Sequence, residues 1–459
     1  MTLPGPLVGA ITALDGRVAL VVGAGTSVEP PTNLPASREC SLAAYEVLVR
    51  QGTLVAGECP HPDDLAEVAD AVVRRTGSQN VLVQALPLNQ LRTASPNRGH
   101  LLAALLLREE AVSTVVTLNF DIAMANALGR VGTGAAVSVV DGPGDHGQLG
   151  LRTVIFLHGN AYADAGRWTL TTAALQSGWQ DAWIEAIAAR VLSGPVTVFA
   201  GVGARVYALV ESAGQLRSRI PAGRHLYNVD LAPIGDSDFF RSLGLPPEAY
   251  IPLGWCAFMD ELAAVVLEIQ TAELERTCEA RGRVLGISHA GSSALCQQLK
   301  TIGALETAQI RARWLLTRSE YAPGHGRDPA FVADVLLAIG IIERSTGAEA
   351  AIRESGVVDF LRPGPVASVL VASGSGLQGA VAVEADLLVR GGHWKRHVPR
   401  PSYAVIAGVE GPDPEAVAAP PDLTRGERLN DIIDAGYQLK IITIHRLRQN
   451  PELAREIVG

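Results

Sequence analysis

Aromatic residues, methionine and clustered cysteine are all scarce in this chain, and it has neither a long apolar run nor an excess of positive charge. Each shortage removes a class of protein. The five cysteines among 459 residues stand at 40, 59, 256, 278 and 296. They are odd in number and lack the spacing of a disulfide framework or a metal site, so they read as buried thiols. Apolar stretches such as Val18 to Val22 and Leu101 to Leu107 fall far short of the roughly 20 residues that span a bilayer. The N-terminus MTLPGPLVGAITALDG lacks the basic start of a secretory leader. A cytoplasmic protein is expected. A formal net charge of -9 gives no global field for nucleic acid or an anionic membrane, so direct contact with either is not expected without a local patch.

The chain is 48% hydrophobic with only 5% aromatic residues. Small aliphatic side chains suit layered α/β structure, and the length calls for two or three cores rather than one. β-branched runs alternate with helical periodicity as far as about residue 270. Strands are predicted at Val18 to Val22, Ser113 to Leu118, Arg152 to Leu157, Pro195 to Ala200 and His225 to Val229. Helices are predicted at Arg38 to Arg50, Asp63 to Arg75, Gly99 to Glu110, Thr172 to Val191 and Ala204 to Gln215. Such alternation implies a mostly parallel Rossmann-type sheet with helical insertions, whose ligand groups lie beyond the carboxyl ends of the strands.

Three regions follow from the pattern: 1–270, the sheet domain; 271–362, a helical connector with apolar periodicity at Leu262 to Leu267, Ala294 to Leu316 and Pro329 to Ile342; and 363–459, a small α+β domain. The Pro/Gly break at Arg362-Pro363-Gly364-Pro365 opens the last of these. Within it, strands are expected at Val366 to Ala372, Leu377 to Val389, Tyr403 to Ile406 and Tyr437 to Ile444. A Pro/Ala-rich loop, Gly411 to Pro421, and a helix, Gly426 to Ala435, lie between them.

Chemistry-bearing residues follow the strands of the first region. Gly23-Ala24-Gly25-Thr26-Ser27 ends the first strand; its glycines allow backbone N–H groups to approach a pyrophosphate, though the same turn also serves as a tight βα connection. Thr117-Leu118-Asn119-Phe120-Asp121 ends the second, placing an amide and a carboxylate over the crevice or, equally, capping the next helix. Leu157-His158-Gly159-Asn160 follows the third. His158 is a candidate base or sugar-hydroxyl partner, against the plain alternative of a hydrogen-bonded structural histidine. Phe199-Ala200-Gly201-Val202-Gly203 and Tyr227-Asn228-Val229-Asp230 complete the series, with glycines to receive a flat base or phosphate and Asn228 and Asp230 to accept ribose hydroxyls.

Over residues 17 to 267 this series resembles the sirtuin superfamily. GAGTS is similar to the family's GAGxS, TLNFD to TQNxD, LHG to the catalytic HG, and Pro96-Asn97-Arg98-Gly99-His100 to its P-N-x-x-H segment. The later turns GVG and YNVD take the place of its G-T/S-S and I-N strand ends. The departures matter as well. The segment after GAGTS reads VEPPTNLPASRE instead of G-I-P-D-F-R, keeping only Leu34-Pro35, and no cysteine lies between Cys59 and Cys256, where deacylases carry a four-cysteine zinc module.

The chain looks like the zinc-free sirtuin-like NADases of bacterial anti-phage systems. The resemblance implies NAD+ as substrate, no zinc, and hydrolysis to nicotinamide and ADP-ribose. It assigns Asn119 to the attacking water, Asp121 to the nicotinamide or its ribose, and His158 to the ribose hydroxyls or the water. Gly23, Ala24, Gly25, Thr26 and Ser27 would cradle the pyrophosphate, with Gly201, Gly203, Asn228 and Asp230 toward the adenosine half. It also implies control through self-assembly or a partner subunit, an ATPase or nucleic-acid sensor, docking on the C-terminal region. Alternatives are a deacylase or ADP-ribosyltransferase on the same fold, or a non-catalytic sensor of NAD or ADP-ribose.

In the last region, Val383 to Val389 resembles the E-x-D-L-L strand of restriction-endonuclease-like folds. Their Glu-x-Lys metal pair is missing at Ala407-Gly408-Val409-Glu410 unless Gln438 and Lys440 replace it, so an active nuclease, a decayed nuclease fold used for docking and an unrelated fold all stay open. Arg390 to His397 is the densest basic patch, a candidate grip for phosphate or an acidic partner, or else a solvated loop.

Overall fold

The computed structural model describes residues 3–133, 136–177, 182–203, 225–315, 329–362, 366–373, 403–407 and 440–459. Two compact units divide the chain, Met1–Val266 and Leu267–Gly459.

The first unit is built on seven strands: β1 Val18–Val22, β2 Val112–Thr117, β3 Ser138–Val140, β4 Thr153–Phe156, β5 Val196–Ala200, β6 His225–Val229 and β7 Tyr250–Ile251. Their order is β3-β4-β2-β1-β5-β6-β7, and every neighbouring pair is parallel. All five residues of β1 and of β5 are buried, so the sheet is covered on both faces. That double burial explains why these strands, VALVV and VTVFA, read as near-continuous buried runs rather than alternating ones. On one face Ala19, Val21, Val116, Ile155 and Phe199 join Ile187, Val191 and Leu192 of the helix Ala182–Leu192 in a shared core. Doubly wound α/β architecture is therefore observed as expected.

Register decides where the functional residues go. Val22 lies beside Thr117 on one side and Ala200 on the other. Thr117 lies beside Phe156, and Ala200 beside Val229. The last residues of β4, β2, β1, β5 and β6 thus form one row, and the five turns that follow leave the same edge. The chain order reverses between β1 and β5, which is the topological switch point of the sheet.

The second unit carries a five-stranded sheet, β8 Glu349–Ile352, β9 Val357–Leu361, β10 Ala367–Ser373, β11 Tyr403–Ala407 and β12 Lys440–Thr443, in the order β12-β11-β10-β9-β8. The β8, β9 and β10 pairs are antiparallel and the β10, β11 and β12 pairs parallel. The helices Ser292–Ile302, Ala304–Trp314 and Pro329–Thr346 share one core with this sheet, in which Leu295, Ile310, Val335 and Ile339 meet Phe360, Val369 and Val405. That core runs across the break at residue 362.

Several elements differ in extent from the sequence reading. Thr172 to Val191 contains two helices, Thr172–Ser177 and Ala182–Leu192. Ala294 to Leu316 is divided by Gly303, whose φ of 111° ends one helix and admits the next. The regions 204–215, 377–389, 411–421 and 426–435 lie outside the described residues, as do the basic patch 390–397 and the nuclease-like segments 383–389 and 408–410. Among the described residues no helix is long and apolar enough to cross a membrane. Cys59, Cys278 and Cys296 are buried free thiols, while Cys40 and Cys256 are half-buried ones.

Candidate functional site

The turn after β1 is a short 3-10 helix, Ala24–Ser27. Its glycines face the turn after β5. Gly23 N–H donates to the Ala200 carbonyl at 3.0 Å and Gly25 N–H to the Gly201 carbonyl at 3.0 Å. A Cβ on Gly23 would lie 2.6 Å from the Gly201 carbonyl oxygen, and one on Gly201 would lie 2.5 Å from the Thr26 nitrogen. Gly201 also has φ of 60°. The glycines are therefore required first by backbone meeting backbone across the switch point. Gly203 is exposed, and a Cβ there would meet nothing within 4 Å.

The two hydroxyls of GAGTS turn inward. Thr26 Oγ1 donates to the Gly23 carbonyl at 2.8 Å, and Ser27 Oγ donates to Asp121 Oδ2 at 2.9 Å. Asn119 Nδ2 donates to Thr26 Oγ1 at 3.4 Å and to Ser27 Oγ at 3.2 Å. All four side chains are buried. The amide of Asn119 is thus held by its nitrogen, leaving its Oδ1 as the acceptor that the turn from β1 does not use. Asp121 is occupied at both oxygens, since Oδ1 accepts Ala123 N–H at 2.9 Å at the start of the helix Ala123–Val131. Burial pushes its carboxyl above the usual range, against the pull of Ala123 N–H and the Ser27 hydroxyl.

His158 stands after β4, half-buried, with its ring hydrogen-bonded to the Leu118 carbonyl. Desolvation holds its imidazolium down to about 4, with that bond pulling the other way. At neutral pH the ring is uncharged, one nitrogen donating to Leu118 and the other able to accept. Phe120, between Asn119 and Asp121, stacks on Trp168 with centroids 4.2 Å apart and lies 6.5 Å from the His158 ring. Together β4, β2 and β1 present an amide oxygen and a neutral imidazole from adjoining turns, with an aromatic pair beside the histidine.

On the other side of the switch point, Asn228 is buried within β6 and its Nδ2 has no hydrogen-bond partner. A buried amide donor without an acceptor costs on the order of 1–3 kcal/mol, and a ligand oxygen would satisfy it. Asp230 is half-buried, with Oδ1 accepting Ala232 N–H at 3.1 Å.

Some residues that organise this edge carry no motif of their own. Asn97 is fully buried; its Oδ1 caps the helix Arg98–Arg108 by accepting His100 N–H at 3.1 Å. Its Nδ2 holds the Thr26 carbonyl at 2.8 Å and the Glu29 carbonyl at 3.3 Å. Glu29 in turn places its carboxylate on Cys256 N–H, at 3.2 and 3.3 Å, in the first turn of the helix Trp255–Leu285. The segment after GAGTS is therefore pinned at both its carbonyl and its side chain. The P-N-x-x-H spacing pointed to Asn97, whereas nothing in the sequence singled out Glu29. Next to them His100 is buried with an unpartnered Nδ1, and burial lowers its pKa to about 4.

A doubly wound parallel sheet with its polar groups gathered on one carboxyl edge is thus the class that fold and site define. No family model matches the sequence, and no curated protein matches it. Among solved structures, similarity is found to one described as the structural basis for the mechanism and regulation of Sir2 enzymes, at 15% identity and TM-score 0.34, over 59% of this chain and 100% of that one. A Sir2 homolog–NAD complex is similar at 16% identity and TM-score 0.32, over 59% and 95% of the two chains. Sir2 bound to acetylated peptide is similar at 17% identity and TM-score 0.30, over 53% and 90%.

Proposed function

We propose that the protein is a sirtuin-like NAD+ glycohydrolase, cleaving NAD+ with water to nicotinamide and ADP-ribose. The observation that carries this reading is the register of the sheet. It brings GAGTS, TLNFD, LHGN, AGVG and NVD, scattered over more than two hundred residues of sequence, to one edge in the order β4-β2-β1-β5-β6.

The chemistry follows from the groups present. The bond between C1′ of the ribose and the pyridinium nitrogen breaks, its electron pair leaves with neutral nicotinamide, and positive charge develops on the ribose ring. Asn119 Oδ1 accepts a hydrogen bond from the attacking water and orients it toward C1′. His158, uncharged at neutral pH, accepts a hydrogen bond from the water or the adjoining ribose hydroxyl. With its pKa near 4 it polarises rather than removes the proton, which passes to solvent after attack. Asp121, saturated by Ser27 and Ala123, contributes negative potential near the cationic ring and holds β1 to β2. The orphaned Nδ2 of Asn228 and the carboxylate of Asp230 suit the ribose of the adenosine half. Hydrolysis is preferred over deacylation because the interval after His158 has no cysteine until Cys256, which leaves no four-thiolate zinc module to build an acyl-peptide groove.

Within this reading residues 1–270 carry catalysis in the cytoplasm, and residues 271–362 and 363–459 restrain it until infection, through self-association or a partner subunit. Incubation of the purified full chain with NAD+, followed by mass analysis, tests it. Nicotinamide and ADP-ribose are expected without any peptide, and Asn119→Ala or His158→Ala should slow their release by roughly 100-fold or more. Strict dependence on an acyl peptide, with acyl-ADP-ribose as product, would overturn the reading.

A further inference from the structure

The second unit contains a cavity of about 380 Å³, a size suited to one small ligand. Three separate stretches form it: the turn after the helix Trp255–Leu285, the late part of the helix Pro329–Thr346, and the helix Ile444–Gln449 with Pro451 just beyond it. Its lining divides into two kinds of surface. Ile287, Ile341 and Leu447 are apolar, while Arg344, Arg448 and His445 supply two permanent positive charges and an imidazole.

On the cationic side Arg344 is tied to the backbone while Arg448 is exposed. Arg344 Nη1 donates to the Ala290 carbonyl at 3.1 Å, and the guanidinium lies back over its own helix above Gly340, where a Cβ would come within 3.0 Å of Nη1. Any larger residue at 340 would push the guanidinium aside. Gly286, with φ of 63°, turns the chain beneath the exposed Arg448, at ordinary van der Waals range from its Nη2. The Glu343 carboxylate lies close enough to Arg344 to favour its charged guanidinium, and its Oε1 also accepts Ala350 N–H at 2.8 Å. Two guanidinia side by side at the mouth of a partly apolar cavity, facing only one neighbouring carboxylate, are suited to phosphate oxygens, which they bind in a forked geometry.

We propose that this cavity binds a mononucleotide-sized phosphate compound, its phosphate between Arg344 and Arg448 and its ring against Ile287 and Ile341. The proposal concerns the second unit alone and does not depend on what the first unit catalyses.

AMP is the probe. Photolabelling of the full chain with an azido derivative of AMP, followed by peptide mapping, reads both binding and location. Label is expected on the peptides carrying residues 286–288 or 445–451, displaced by AMP and at least tenfold less well by adenosine. Arg344→Gln with Arg448→Gln should weaken AMP binding at least tenfold. The matching Lys pair, which keeps the charge but loses the fork, should fall between, and it serves as the working comparison if the Gln pair melts early. Label confined to the first unit, equal affinity in the Gln pair and the native chain, or displacement by an oligonucleotide but not by AMP would each overturn the proposal.

Discussion

The Ser27 hydroxyl donates to the Asp121 carboxylate at 2.9 Å across 94 residues of sequence, and with Asn119 it ties the turn of β1 to the turn of β2. Because the carboxyl is buried and its pKa raised, the bond has a pH signature. A group whose folded pKa lies above its unfolded value adds stability at low pH and loses it as pH rises through the folded pKa. Ionising Asp121 as pH rises through its folded pKa therefore costs stability. Asp121→Asn keeps a side chain able to pair with Ser27 and Ala123, so it should melt at or above the native temperature at pH 7 while NAD+ cleavage falls. Its advantage should vanish toward pH 4. Thermal melts across that range, beside product assays, check both halves.

Two histidines of the first unit run in the opposite direction. His100 and His158 both have pKa values lowered to about 4, so the unfolded chain binds more protons between about 4 and its ordinary 6.5. Stability should be complete above the unfolded value and decline as pH falls through this window. For the fully buried His100 the decline amounts to roughly 3 kcal/mol, at about 1.4 kcal/mol per pKa unit. Urea titrations at steps of pH should show it, and His100→Gln should flatten the slope. An unchanged slope would mean that His100 finds a proton partner in the folded chain.

Backbone contact across the switch point separates two glycines that look alike in sequence. Gly201→Ala combines φ of 60° with a Cβ 2.5 Å from the Thr26 nitrogen, and a loss of about 3 kcal/mol or more is expected. Gly203→Ala meets open space and should stay within about 0.5 kcal/mol of the native chain. Chemical denaturation of the two variants side by side decides the matter.

Asn97 joins a helix cap to the anchoring of the first turn. Asn97→Ala removes a cap worth about 1 kcal/mol and also leaves the buried Thr26 and Glu29 carbonyls without their donor, so a total of roughly 2–4 kcal/mol is expected. Asn97→Asp keeps the cap through its carboxylate but cannot donate to either carbonyl. It should retain helix stability while raising the KM for NAD+, a split measurable by combining melts with steady-state kinetics.

The central strands were legible because burial on both faces favours continuous apolar or β-branched runs, as in β1, β4 and β5, while β2 and β6 carry polar residues but keep a buried, strand-like stretch. The edge strands β3 and β7, of three and two residues, are too short to carry a period. In the second unit Glu349–Ile352 reads EAAI, a helix-favouring composition, and becomes a strand by pairing with β9; tertiary context overrides propensity there. The motif residues of the site were legible as residue types at strand ends. Their mutual bonds were not, because Ser27 and Asp121, or Asn97 and Thr26, meet only once the sheet has assembled. Glu29 shows the same limit, since its value depends on a helix beginning 226 residues later, at Trp255.

The meeting of the β1 and β5 turns also constrains which variants of this chain can exist. With Gly23 and Gly25 each pressed against Gly201, no single position can accept a side chain while the other two stay in place. A combinatorial library randomising all three together should return glycine at each of them, even when selection is for folding alone. Glycine retention at these sites is thus no measure of ligand binding, and a search for active variants does better to sample Asn119, His158 and Asn228.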